Sequence, residues 1–177
     1  NEDLDDDNDT LTDTLDDCDK GDLNWLSNST TDYDTDGCQD SNEDLDDDND
    51  TLTDTLDDCS KGDLSWFSSN STDHDDDGCR DDGVEDLDDD NDTVYDANDQ
   101  CPRGMTGWIS NSTTDWDGDG CADSLEDEDN DNDLILNQFD DCINGELNWQ
   151  SNQTSDYDSD GCKDTSEDED NDNDLIL

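Results

Sequence analysis

The chain has 177 residues, of which 62 are acidic and 5 are Lys or Arg, and its formal net charge at pH 7 is −57. Only 24% of the residues are hydrophobic, so a conventional hydrophobic core is excluded, and the composition alone is typical of disorder. The charge also excludes nucleic acid as a partner and favours hard cations, and no apolar run is long enough to predict a membrane span.

The acidic residues follow a repeat. Similar acidic runs open at Glu2, Glu43, Glu85, Glu126 and Glu167, at steps of 41, 42, 41 and 41 residues. A fixed period of this length is typical of an array of structural units. We therefore predict repeats at residues 1–41, 42–83, 84–124 and 125–165, and the start of a fifth at 166–177. Because the chain stops inside the fifth acidic run, we expect it to be a window of a longer repeating protein.

Each repeat begins with a twelve-residue acidic stretch, here called the first loop. In repeat 1, acids occupy positions 1, 3, 5, 9 and 12 of this loop, namely Asp5, Asp7, Asp9, Asp13 and Asp16. Alternate carboxylates at this spacing converge on one Ca²⁺ ion. The other repeats place the same positions at Asp46, Asp48, Asp50, Asp54 and Asp57, at Asp88, Asp90, Asp92, Asp96 and Asp99, and at Asp129, Asp131, Asp133, Asn137 and Asp140.

Position 6 of the first loop lacks the glycine that makes the sharp turn in calcium loops. The residues found there are Thr10, Thr51, Thr93 and Leu134. We expect the turn to be made another way, with help from the asparagines at position 4, because asparagine tolerates left-handed backbone. These asparagines are Asn8, Asn49, Asn91 and Asn132.

An insert follows the first loop in every repeat and carries a tryptophan and an N-glycosylation sequence. The tryptophans are Trp25, Trp66, Trp108 and Trp149. We interpret each as a small core packed on a disulfide, with a sugar-stacking platform as the alternative. Glycan acceptors in a surface loop are predicted at Asn28, Asn70, Asn111 and Asn152.

The second loop lies at the end of each repeat, runs two residues into the next one, and has the glycine at position 6. In repeat 1, positions 1, 3, 5, 9 and 12 hold Asp32, Asp34, Asp36, Asp40 and Glu43, and the final glutamate can bind calcium through both oxygens. Two further copies are regular, with Asp115, Asp117, Asp119, Asp123 and Glu126, and with Asp156, Asp158, Asp160, Asp164 and Glu167. The copy in repeat 2 has Asp73, Asp75, Asp77 and Asp81, but an extra residue moves its glutamate to position 13, as Glu85. Either that loop bulges to recover Glu85 or its site is weaker.

The aromatic position 2 of the second loop, held by Tyr33, His74, Trp116 and Tyr157, is expected to pack between repeats or to touch glycan. We interpret the single histidine, His74, as one more such side chain rather than a catalytic base.

Eight cysteines occur once per half-repeat, at Cys18, Cys38, Cys59, Cys79, Cys101, Cys121, Cys142 and Cys162. Within a repeat they are always 20 residues apart, whereas between repeats the separation is 21, 22 and 21. Because a covalent bridge imposes a constant separation, we predict pairing within repeats, among the 105 possible connectivities. A zinc or iron–sulfur site is the alternative, although the sequence has no CxxC. Disulfides indicate an oxidising compartment.

The spacing resembles that of thrombospondin type 3 repeats, whose D-x-D-x-D-G-x-x-D-x-x-D-x-C units match residues 5 to 18 except for the glycine. The resemblance implies a chain that wraps around rows of Ca²⁺ ions, often two per loop, with sequential disulfides. The insert with its tryptophan departs from that family. EF-hands are excluded, because only Asp44 and Leu45 separate the second loop of repeat 1 from the next first loop, which leaves no room for a helix.

We therefore expect an irregular, mostly coil fold, an elongated, calcium-stabilised and disulfide-stapled repeat array. One Ca²⁺ in each of the eight loops would leave a charge of about −41, so more than one ion per loop is predicted. No carboxylate pair stands in a pocket as a hydrolase needs, which predicts a protein that is not an enzyme.

The expected function is structural and extracellular or at the cell surface, as a glycosylated rod or fibril that associates with copies of itself. The alternatives are a stalk or adhesive binding module of a large surface protein and a disordered acidic calcium buffer.

Overall fold

The computed structural model describes residues 3–174. Within that range there is no α-helix and no β-strand, and the backbone is a succession of turns and bends. The irregular, mostly coil fold is therefore confirmed. The chain divides into two compact units, Asn1–Leu87 and Asp88–Leu177. Glu2 and the last three residues of the predicted fifth repeat, 175–177, lie outside the described residues.

Four disulfides join the cysteines within repeats, as the constant separation predicts. Their Cα–Cα distances are 5.1 to 5.2 Å and none of the eight cysteines is free. Beside each bridge, the residue before the first cysteine donates a backbone hydrogen bond to the second loop. In repeat 1 this bond runs from Asp17 N–H to Asp36 O, at 2.8 Å. The end of the first loop is thereby fixed against the middle of the second.

The interior consists of carboxylates and half-cystines. The largest fully buried side chains among the described residues are aspartates, and they include Asp9, Asp32, Asp48 and Asp50. Buried hydrophobic residues are few, and most of them are the second cysteines of the bridges. A buried carboxylate is costly unless it is hydrogen-bonded or neutralised. The fold therefore depends on how these acids are partnered.

The first loop makes its turn with left-handed residues at positions 4 and 6. The position 4 asparagines have φ between 55° and 64°, which confirms the prediction for them. The residues at position 6 adopt positive φ as well, at 81° to 92°, although none of them is glycine. Left-handed backbone is unfavourable for Thr and Leu, so their surroundings must stabilise the turn.

Both the backbone conformation and the packing require glycine at position 6 of the second loop. Gly120 has φ +89°, and a Cβ on it would overlap Oδ1 of Asp99, the last acid of the first loop. Gly37, Gly78 and Gly161 approach Asp16, Asp57 and Asp140 in the same way. The glycine therefore allows the two loops of a repeat to pack directly on each other.

Substitution of Gly120 by alanine is expected to destabilise the protein more than substitution of Gly118. Both residues have positive φ, but a Cβ on Gly118 would meet nothing within 4 Å, so Gly118→Ala should cost only the left-handed penalty of about 1 kcal/mol. Gly120→Ala must also displace Asp99 and should cost at least about 2 kcal/mol more. Thermal unfolding with calcium present measures the difference, and equal costs would mean that the loop contact contributes nothing.

Aromatic side chains at position 2 of the second loop join neighbouring repeats. Tyr33 Oη donates to the backbone oxygen of Gly62, and Trp116 Nε1 donates to that of Gly145, both at 3.0 Å. Each bond links a second loop to the insert of the following repeat. Packing between repeats is therefore confirmed for these two residues.

Two insert tryptophans, Trp108 and Trp149, lie near the residue that follows the second cysteine of their repeat. Trp66 is 7% exposed, Trp108 lines a small cavity with Ala122, and the Trp149 ring centre is 5.9 Å from Lys163 Nζ. Ala122 and Lys163 directly follow the second cysteines of their repeats. These contacts favour the small-core interpretation of the tryptophans.

Candidate metal centres

Short-range hydrogen bonds turn the first loop so that its carboxylates converge. In repeat 1, Asp7 Oδ1 accepts from Asp9 N–H at 3.2 Å, Asp9 Oδ1 from Leu11 N–H at 2.7 Å, and Asp16 Oδ1 from Cys18 N–H at 2.7 Å. Such a bond to the backbone two residues on is the aspartate turn that competes with regular structure. In each of these aspartates one carboxylate oxygen therefore accepts a hydrogen bond from the local backbone, and the other points towards the interior.

The acids at positions 1, 3 and 5 come together in both kinds of loop. Groups whose ligand oxygens all lie within 4.8 Å of one another include Asp5, Asp7 and Asp9, Asp46, Asp48 and Asp50, Asp32, Asp34 and Asp36, and Asp73, Asp75 and Asp77. These triads can hold a metal ion. The predicted convergence of alternate acids is therefore present.

The first loops contain buried carboxylate oxygens that receive no hydrogen bond. At position 5 these are Oδ2 of Asp9, Asp50, Asp92 and Asp133, and at position 12 they are Oδ2 of Asp57, Asp99 and Asp140. Position 1 contributes Oδ1 of Asp5 and of Asp129. A buried carboxylate oxygen without a donor costs several kcal/mol unless a cation approaches it. The donor set, hard oxygens only, fits Ca²⁺.

The second loops are different, because most of their carboxylate oxygens are hydrogen-bonded. Asp32 Oδ1 accepts from Asp36 N–H at 3.1 Å, and its Oδ2 accepts from Gly37 N–H and from the Ser27 hydroxyl. Asn49 Nδ2, from the next repeat, donates to Oδ2 of both Asp34 and Asp36. The sequence predicts the second loop as the better calcium site, because it has the glycine. In the structure, carboxylate oxygens without a hydrogen-bond donor are instead concentrated in the first loop.

Position 9 of either loop is hydrogen-bonded to the backbone of position 2. In the first loops Asp13, Asp54, Asp96 and Asn137 accept from the N–H of Asp6, Asp47, Asp89 and Asn130 at 2.9 to 3.0 Å. In the second loops Asp40, Asp81, Asp123 and Asp164 accept from the aromatic residues at 2.9 to 3.1 Å. These side chains stabilise the loops. Asn137 shows that a neutral amide can make the same hydrogen bond as an aspartate.

The glutamates that end the second loops lie over the insert glycines. A Cβ on Gly21 would be 2.5 Å from Glu43 Oε1, and one on Gly145 would be 2.9 Å from Glu167 Oε1. Glu85 takes the same place over Gly62, while Val84 is 89% exposed. The irregular second loop of repeat 2 therefore bulges outwards and recovers Glu85.

One metal-capable group involves a residue that the loop pattern does not include. Asp40, Asp44 and Asp47 share ligand-oxygen distances within 4.8 Å, and Asp44 directly follows the second loop. Lys61 pairs with Asp40 and, at 3.2 Å, with Asp47. The signal available in the sequence was the recurrence of this aspartate after every loop-ending glutamate, at Asp44, Asp86, Asp127 and Asp168.

Burial and like charge make full ionisation of the first loops unfavourable. Burial raises the pKa of Asp50 to about 6, with Asp48 and Asp46 raising it further against a backbone hydrogen bond from Leu52. Burial likewise raises the pKa of Asp57 to about 7. The pKa values of Asp16, Asp92 and Asp133 rise to about 6 and those of Asp99 and Asp140 to about 7, in each case chiefly through burial. A bound cation would offset both effects.

Comparison of the chain with protein-family models found no match, and comparison with curated proteins found none either. Among the described residues, no helix is long and apolar enough to cross a membrane. Four disulfides agree with an oxidising compartment. The chemistry of the loops is thus the main guide to function.

Proposed function

We propose that the chain is an extracellular structural protein, a rod or fibril of tandem repeats that fold around Ca²⁺. The observation that carries the proposal is the set of buried carboxylate oxygens without a donor, which recur at positions 5 and 12 of successive first loops. Residues that would hold the ion in repeat 2 are Asp46, Asp50 and Asp57. Calcium supplies the positive charge that allows these carboxylates to share one site.

Calcium is favoured over other metals by the ligands and the setting. The ligand positions of the loops offer carboxylates and backbone carbonyls, and none of these positions holds the thiolate or imidazole groups that zinc and copper prefer. All eight cysteines are in disulfides. Mg²⁺ requires near-ideal octahedral geometry and keeps its water, which suits crowded carboxylates poorly. Millimolar extracellular calcium is sufficient for loops of this type.

N-linked glycans are the second part of the proposal. Asn28, Asn111 and Asn152 are exposed, and each side-chain oxygen accepts a bond from the hydroxyl of the threonine two residues on, at 2.5 to 2.6 Å. In repeat 2 the equivalent bond joins Ser69 and Ser71, at 3.1 Å. Asn70 is therefore displaced by one residue from the turn, and it is still exposed. A glycan is compatible with all four positions.

Exposed apolar side chains in register favour a second candidate, an adhesive or self-associating surface. Leu15, Leu56 and Phe139 occupy position 11 of the first loops of repeats 1, 2 and 4 and are 68 to 70% exposed, whereas repeat 3 has Asn98 there. Leu4 and Leu45 form another pair, at 69 and 71%. A stalk or fibril that associates laterally would cover such residues.

Native mass spectrometry of the protein secreted by a glycosylating host tests both parts. We expect at least eight Ca²⁺ ions per chain in millimolar calcium, about one or more for each complete loop, and glycans at the four insert asparagines. The formal sequons at Asn8, Asn49 and Asn91 should stay bare, because they lie inside acidic loops. A chain that retains no calcium contradicts the proposal, and unmodified asparagines remove its glycan part.

A further inference from the structure

Glu167, the glutamate that ends the second loop of repeat 4, holds two separate stretches of backbone. Glu167 Oε1 accepts from Glu146 N–H at 2.6 Å, and its Oε2 accepts from Lys163 N–H at 3.2 Å. Glu146 lies in the insert turn after the first cysteine of its repeat, and Lys163 directly follows the second cysteine. One carboxylate thus links two backbone segments that lie next to the two cysteines of the same disulfide.

The same clamp forms in repeat 2, where the sequence is irregular. Glu85 Oε1 accepts from Asp63 N–H at 2.7 Å, and its Oε2 accepts from Arg80 N–H at 3.2 Å. The extra residue in that loop is accommodated by exposing Val84. The contact with the insert turn is therefore kept where the twelve-residue spacing is lost.

Glycine in the insert turn is explained by this clamp. A Cβ on Gly145 would lie 2.9 Å from both Glu167 Oε1 and Cys142 O. Bidentate binding of an ion would require both glutamate oxygens to face it, yet each already receives a backbone N–H from a different one of the two backbone segments. Glu167 is thus poorly placed to bind an ion through both oxygens.

The residue after this glutamate, Asp168, has a carboxylate oxygen that receives no hydrogen bond. Asp168 Oδ1 accepts from Asp170 N–H at 2.7 Å, whereas its Oδ2 is buried without a hydrogen-bond donor. Asp127 and Asp44 repeat both features, with Oδ1 accepting at 2.8 and 3.0 Å. Asp44 belongs to the metal-capable group with Asp40 and Asp47, and Asp47, only 6% exposed, also buries an oxygen without a donor.

We propose that Glu167 is a positioning residue that clamps the insert turn, and that Asp168, immediately after it, is the calcium ligand of that loop. The inference rests on the proposed calcium binding and changes which residue performs it. The unit that holds an ion at the second loop is then thirteen residues long, and it extends into the beginning of the following repeat.

Two neighbouring, charge-matched variants of the full chain test this, Glu167→Gln and Asp168→Asn. Bound calcium is counted by equilibrium dialysis, and hydrogen exchange of the insert-turn amides is followed at saturating Ca²⁺. Asp168→Asn should lose about one ion per chain and leave exchange at Glu146 unchanged. Glu167→Gln should keep the wild-type ion count and speed exchange at Glu146 roughly tenfold, because one clamp bond is lost.

The pair Glu126→Gln and Asp127→Asn repeats the test in repeat 3, where Glu126 Oε2 accepts from Ala122 N–H at 3.4 Å and Asp127 Oδ2 is buried without a donor. Loss of an ion in a glutamate variant, or a full ion count in an aspartate variant, would overturn the assignment. A wild-type chain that binds no calcium would instead refute the proposed function, and that result is read before any variant is compared.

Discussion

At pH 7.5, removal of Ca²⁺ with EDTA is expected to disorder the chain while its four disulfides stay intact. The interior is made of aspartates, and the formal charge of −57 is opposed by only five Lys and Arg residues. Without a cation, carboxylates such as Asp9 and Asp50 must leave the interior for water. We expect at least about tenfold faster proteolysis within the loops, loss of the near-ultraviolet circular dichroism of the tryptophans, and changed scattering dimensions.

The control for this experiment separates specific binding from screening. Sodium chloride at matched ionic strength reduces repulsion between exposed charges but cannot replace a coordinated ion. Added Ca²⁺ should restore protease resistance, whereas Mg²⁺ at the same concentration should restore less of it. Unchanged scattering and unchanged proteolysis in EDTA would contradict the calcium-dependent fold. A chain that is equally disordered with and without calcium would favour the acidic buffer.

Local spacing made much of the fold predictable. The pairing of Cys18 with Cys38 follows from a separation that stays constant while the spacing between repeats varies. The absence of helices between residues 3 and 174 follows from loops that run almost end to end. Left-handed backbone at Asn49, with φ 57°, follows from the conformational tolerance of asparagine. Each of these features is decided by residues close in sequence or by the repeat itself.

The partners of individual carboxylates were not predictable in this way, because their donors come from other parts of the repeat. Asp131 Oδ2 accepts from Gly145 N–H at 2.7 Å, fourteen residues away, and Asp34 accepts from Asn49 of the next repeat. Loop spacing alone therefore could not show that carboxylate oxygens without a donor are more frequent in the first loops than in the second. Glu43 was predicted as a ligand from its position alone, and the structure leaves its Oε2 buried without a hydrogen-bond donor.

A signal of these longer contacts was nevertheless present. Position 2 of the first loop and the residue fourteen further on change together, as Asp47 with Lys61, Asp89 with Arg103, and Asn130 with Asn144. The structure joins all three pairs, at 3.2, 2.9 and 3.0 Å. An acid is thus matched by a cation and an amide by an amide. The loop and the insert are one folding unit.

Without calcium, the protein is expected to be more stable at pH 4.5 than at pH 7.5, and with calcium the order should reverse. Folding raises the pKa of Asp50 from 3.8 to about 6 and that of Asp57 from 3.8 to about 7. Their protonated forms therefore stabilise the fold fully below about pH 4, and this stability is lost as pH rises through 6 to 7. For buried Asp50 the effect is about 3 kcal/mol. Calcium must displace the same protons, so its affinity should rise with pH over that window.

Thermal unfolding at several pH values, in EDTA and in millimolar calcium, measures both trends, and calorimetry in two buffers of different ionisation enthalpy counts the protons released by Ca²⁺. Asp57→Asn imitates the protonated acid and should reduce the pH dependence in EDTA. The matched control is Asp58→Asn, which removes the same charge from the exposed neighbouring side chain and should leave that dependence unchanged. A melting temperature in EDTA that increased from pH 4.5 to 7.5 would show that the buried aspartates are already neutralised within the protein. The carboxylate interior would then be stable without any bound ion.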